Sequence, residues 1–91
     1  MSLKAHVTEA MKAAMRAKDA PRLSTIRMLL AAIKQKEVDE RISVQDVQVV
    51  AIVDKLIKQR KDSVAAFSQA GRTDLADKEA AEITLLEAYL P

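Results

Sequence analysis

Apolar residues recur along this chain every three or four positions, the period of an α-helix with one buried face. Leu3, Val7, Met11, Ala14 and Met15 set the first such stretch, with Ser2 placed to cap it. Lys18-Asp19-Ala20-Pro21 closes it and opens the next. Asp19 reads as an N-cap, and Pro21 falls in the first turn, where its missing N–H costs nothing. Leu23, Ile26, Leu29, Leu30 and Ile33 then line one face of a second helix running to about Arg41. Ser43 reads as the cap of a third, with Asp46 three residues on in the place of a capping-box acid. Val49, Val53, Leu56, Ile57, Val64 and Phe67 share one arc, and nothing interrupts the chain before Gly71. That predicts a third helix of roughly thirty residues, about 40 Å long at 1.5 Å per residue.

Gly71 is expected at the C′ position, where only glycine takes the left-handed conformation without strain. Thr73 or Asp74 then caps a fourth helix that buries Leu75, Ile83, Leu86 and Leu90. The connections are short, so successive helices should lie antiparallel. The expected fold class is all-α: four antiparallel helices in a small bundle, with a long third helix. Pro91 directly after the last apolar residue reads as the lead into a linker, and the chain as the front part of something longer.

Composition sharpens this picture. The 91 residues fit one domain, and a single Gly and two Pro leave few places to turn. Phe67 and Tyr89 are the only aromatics, so the core must be aliphatic. The absence of cysteine removes disulfides and thiolate chemistry. Together with a first six residues that lack an apolar signal run, it sets the expectation of a cytoplasmic protein with no membrane partner.

Catalytic signatures are missing. One glycine cannot build a phosphate-cradling loop, and the five serines have only His6 as an imidazole base. His6 lies about a quarter-turn off the apolar arc of the first helix and reads as solvent-facing. The adjacent carboxylates Asp39 and Glu40 point different ways on a helix and cannot share a metal. No catalytic residue, metal ligand or cofactor is therefore expected.

Three charged residues interrupt apolar arcs: Arg60 in the third helix, Glu37 in the second and Glu79 in the fourth. For Glu37, near a helix end, a packed stem with a wet head serves as well as a buried pair. For Arg60, deep in a long helix, an ion pair is expected. Folding the third and fourth helices back around Gly71 puts Arg60 level with about Ile83, within a turn of Glu79 and Glu82. Glu37 is out of range, about 20 Å along the third helix from Arg60.

The net charge of +2 conceals an uneven distribution. Residues 1–36 carry eight basic side chains against Glu9 and Asp19, whereas the last segment is acidic. Lys55, Lys58 and Lys61 spread over the exposed side of the third helix, Arg72 follows in the turn, and Arg27, Lys34 and Arg41 make a stripe on the second. Such residues suit phosphate contact. They equally suit a solvated helix surface holding i,i+4 pairs such as Asp54–Lys58. With no aromatics for stacking, any nucleic acid would be held by its backbone, through Arg27, Lys55, Lys58, Lys61 and Arg72.

Three strings carry a family resemblance: Arg22-Leu23-Ser24-Thr25-Ile26-Arg27-Met28-Leu29-Leu30, Ile57-Lys58-Gln59-Arg60-Lys61-Asp62-Ser63, and Gly71-Arg72-Thr73-Asp74-Leu75-Ala76 followed by Lys78-Glu79-Ala80-Ala81-Glu82. In this order and at these separations the chain resembles the GatB/YqeY family, specifically stand-alone YqeY-like proteins. The resemblance runs nearly end to end. It implies that residues 1–91 are a helical amino-terminal domain, with the family's second, smaller helical domain absent from this chain. That second domain resembles the tail of the B subunit of tRNA-dependent amidotransferases, which brings tRNA, an amidotransferase or other translation proteins into view as partners. The family label is a carbon–nitrogen ligase with glutamine as amide donor. Amide transfer needs a glutaminase nucleophile and an ATP site, which in the amidotransferases lie in other domains and subunits. The resemblance thus implies a non-catalytic accessory module tied to tRNA or amidation, with a protein-interaction or oligomerisation module as the alternative.

Overall fold

Every helix end leaves backbone groups that need partners, and here the chain supplies them locally. In the computed structural model, which describes residues 1–91, α1 spans Leu3–Ala17 and begins at Ser2, whose hydroxyl accepts from the Ala5 N–H at 3.1 Å. It stops where Lys18 turns left-handed (φ 55°) and Asp19 donates its N–H back to Ala14 O at 3.0 Å. α2 spans Ala20–Glu40, capped by the Asp19 carboxylate on the Arg22 N–H at 3.3 Å, and ends at a second left-handed residue, Arg41. α3 spans Asp46–Gln69. Its end is a Schellman turn: Gly71 takes φ 73°, its N–H reaches Ser68 O at 3.1 Å, and Arg72 N–H reaches Phe67 O at 2.8 Å. α4 spans Thr73–Glu87.

Three boundaries differ from the sequence expectation, the simplest being that α4 stops at Glu87 and leaves Leu90 to pack on the core from beyond the helix. α3 is the longest helix but has 24 residues rather than about thirty, and Ser43 does not cap it. Val44 is the reason. It is 4% exposed, packed in the core, and burying it holds residues 43–45 extended, so the helix starts only after Gln45. Gln48 Oε1 then accepts from the Gln45 N–H at 2.7 Å. At α4, neither Thr73 nor Asp74 is the cap. Arg72 occupies that position because the Schellman turn consumes it, and its guanidinium pairs with Asp74 at 3.2 Å.

The helices form two antiparallel hairpins, α1 on α2 and α3 on α4, with α2 crossing onto both α3 and α4. One aliphatic cluster fills the join: Val7 and Ala14 from α1, Ile26, Leu29 and Ile33 from α2, Val44, Val49, Val53 and Ile57, and Leu86 from α4. All of these are almost fully removed from solvent. The Gly71 end of the α3–α4 hairpin stands off this core and is held by Ala76 with the half-buried Val64, Phe67 and Leu75. No helix is long and apolar enough to cross a membrane.

Candidate functional site

The charged side chains that reach the interior come first, because burial makes an ionised group costly unless it is paired. Arg60 projects from α3 towards α4, its Nε 3.0 Å from Glu82 Oε2 and 3.9 Å from Glu79 Oε2. Its Nη1 donates to Leu56 O at 3.3 Å and its Nη2 meets the Met28 thioether of α2. One guanidinium thus ties three helices together. Its planar fork of donors is thereby spent on groups of the fold itself.

A second polar node sits at the opposite end of the fold. Glu37 Oε2 accepts from Lys4 Nζ at 2.6 Å and from the Val44 N–H at 2.9 Å, joining α1, α2 and the connection into α3. The Lys4 ammonium, then the Val44 N–H, hold the Glu37 carboxyl below its ordinary value of 4.5. Close by, Asp46 Oδ1 accepts from the Leu3 N–H at 2.9 Å, so the acid at the start of α3 caps α1 instead of its own helix. The sequence signals Glu37 as a charge in an apolar arc. It gives no sign of Lys4 or Val44 as its partners, nor of Asp46 as a cap for α1.

The five basic residues singled out from the sequence do not share a face. Lys55, Lys58 and Lys61 are three residues apart, so each turns about 60° from the last and the set fans over about 120° of α3. All three are exposed, and Lys58 holds Asp54 at 3.1 Å. Arg72 lies at the far tip of the hairpin, engaged with Asp74. Arg27 is exposed on the outward side of α2, in line with Lys34 and Arg41 and away from the α3 lysines. His6 is exposed on α1.

Between the carboxyl-terminal half of α2 and the amino-terminal half of α3 runs a shallow groove of about 570 Å³. Ala32, Ala51, Ile52 and Leu56 form its apolar lining and Lys55 stands among its polar residues. Val47, 81% exposed, contributes an uncovered apolar side chain. The acids on the α2 side are already occupied: Asp39 by Gln35 at 2.8 Å and Glu40 by Lys36 at 2.7 Å.

Comparison with known proteins agrees with the family resemblance. The family model described as Yqey-like protein matches residues 4–91. The chain belongs to the YqeY-like family. Among curated relatives, a protein of Eremothecium gossypii named altered inheritance of mitochondria protein 41, mitochondrial, is 44% identical over 87 residues, covering 94% of this chain and 48% of that protein. Its namesake in Kluyveromyces lactis is 49% identical over 80 residues, 87% of this chain and 43% of that protein. The Saccharomyces cerevisiae one is 38% identical over 81 residues, 88% and 44% respectively. The chain therefore spans about half the length of the relatives it matches. These names also overturn the expectation of a cytoplasmic protein: relatives at this identity are named as mitochondrial. The sequence test behind that expectation sought an apolar secretory run, whereas mitochondrial leaders are amphipathic and Arg-rich, so it was blind to this destination.

Proposed function

We propose that this YqeY-like chain is a non-catalytic helical accessory module that works by docking to a protein partner, in the setting of tRNA-dependent amidation or translation. One observation carries the docking reading: the charged side chains that reach the interior are spent on holding helices together, while valines stand open on the surface, Val38 at 63% and Val47 at 81% exposed. Exposed valines on helix faces beside free cations suit the contact layer of a protein interface. The setting rests on the family resemblance alone, through a second domain, not contained in these residues, that resembles the amidotransferase B subunit tail. A second reading, phosphate contact to tRNA, is favoured by the outward row of Arg27, Lys34 and Arg41, none of which is held in an ion pair. It draws less support from Lys55, Lys58, Lys61 and Arg72, which fan apart or are already paired.

The test is photo-crosslinking in the cells that make the protein, with a benzophenone side chain at Val38, Val47 or Lys58. Docking predicts adducts at Val38 or Val47 that protease removes and ribonuclease leaves intact. Ribonuclease-sensitive adducts at all three positions, or no adduct at any, would overturn it.

A further inference from the structure

The outward face of α2 carries a row of positive charge in which no side chain is held in an ion pair. Arg27, Lys34 and Arg41 recur at seven-residue spacing, all are exposed, and none is among the side chains engaged in ion pairs. Seven residues are two helical turns, so Arg27 and Lys34 stand about 10.5 Å apart on α2, and Arg41 follows at its left-handed C-cap. The nearest acid along the row, Glu37, is held by Lys4 and the Val44 N–H, while Asp39 and Glu40 turn towards the groove and are held there. Between the cations lie exposed Ala31 and Val38.

We propose that this face docks an acidic amphipathic helix of a protein partner, its carboxylates repeating every seven residues beside an apolar side chain that covers Val38. The assignment rests on the docking reading above and specifies the partner's chemistry. Three features select a helix over a nucleic acid. A helix laid alongside α2 presents its own facing positions at a seven-residue period, which matches the cation row. A nucleic-acid strand presents phosphates, which offer nothing to a valine. No aromatic side chain stands on this face to stack a base.

The experiment uses the full chain and a synthetic peptide of about 21 residues with Glu and Leu at heptad positions, against a permuted peptide of the same composition. Binding is read by fluorescence anisotropy at low and physiological salt. Three exposed ion pairs, each contributing up to about fivefold, set the expected advantage of the heptad peptide at about tenfold or more. Lys34→Glu should lose that advantage, and a peptide with Lys at the facing position should restore it. Val38→Ser should weaken binding without changing its salt dependence. These positions are exposed, so circular dichroism should show unaltered helix content in both variants. Equal binding of the two peptides, or no binding of either, overturns the acidic-helix assignment. So does a single-stranded RNA that binds the parent chain and loses affinity with Lys34→Glu while the heptad peptide does neither. If the peptides fail but Val38 still crosslinks to protein, the docking reading stands and only the partner's chemistry falls. Loss of both removes both.

Discussion

Replacing Arg60 with Leu takes away the guanidinium that α3 presents to Glu79 and Glu82 and leaves both carboxylates in place. The three side chains are 14%, 24% and 19% exposed, so the cluster lies between the two well-characterised limits. Pairs in full solvent contribute about 0–1 kcal/mol, and breaking a fully buried pair costs about 3–5 kcal/mol. The 3.0 Å bond to Glu82 is charge-assisted, and losing it costs about 1.5–3 kcal/mol. Glu79, at 3.9 Å and the more exposed of the two acids, can turn to water and adds little. The expected destabilisation is therefore about 2–3 kcal/mol, less than the stability of about 5–14 kcal/mol usual for this length. At about 4–8 °C per kcal/mol, Tm should fall by about 8–24 °C. Urea and thermal denaturation followed by helical circular dichroism measure both quantities. The double variant Arg60→Leu, Glu82→Leu should regain at least half of the loss, because an apolar pair replaces a stranded charge. An Arg60→Leu protein within about 0.5 kcal/mol of the parent, or a double variant no more stable than the single one, would refute the idea of a pair that matters to folding.

Two further outcomes follow from the corners of the fold. Glu37 has a folded-state pKa below 4.5, so its contribution is complete above that pH and is lost as pH falls through the lowered value. A Glu37→Gln chain should therefore be less stable near neutrality and show a flatter acid limb, read from Tm against pH. Superimposable profiles would remove the Lys4–Glu37–Val44 node from the account. Lys18 and Gly71 both take positive φ, and a Cβ at Gly71 would meet nothing within 4 Å. Lys18→Gly should then stabilise by about 0.5–1 kcal/mol and Gly71→Ala destabilise by about 1–2 kcal/mol, opposite signs from one backbone rule. Equal signs in denaturant titrations would show that neighbours, not φ, control these turns.

How far the sequence carries depends on the reach of each signal. Helix periodicity and the Gly71 stop are local, and they place four helices with their buried faces. The level of Arg60 against α4 also follows from counting, since the turn at Gly71 is tight. The start of α3 is lost because it depends on Val44 entering a core built by three other segments, which no window around Ser43 contains. Glu37 shows the same limit. Its partners lie 33 residues before it and seven after, and only the packing of α1 on α2 brings them to one oxygen atom. The basic residues are a different case. Their identity is plain in the sequence, but whether Lys55, Lys58 and Lys61 act together is a matter of angle, and a three-residue spacing rotates them apart.

The pairing of neighbours in chain order, α1 with α2 and α3 with α4, bears on how quickly the native state is reached. Each hairpin closes across a short turn, so most contacts cost little loop entropy before they form, and chains of this topology collapse on the microsecond-to-millisecond scale. The Leu3–Asp46 bond is different, since it spans 43 residues and requires the first hairpin to have met the start of α3. It belongs to the last stage of assembly, where it closes the seam after the two halves have docked. Substitutions there should leave the folding rate nearly untouched and appear as faster unfolding.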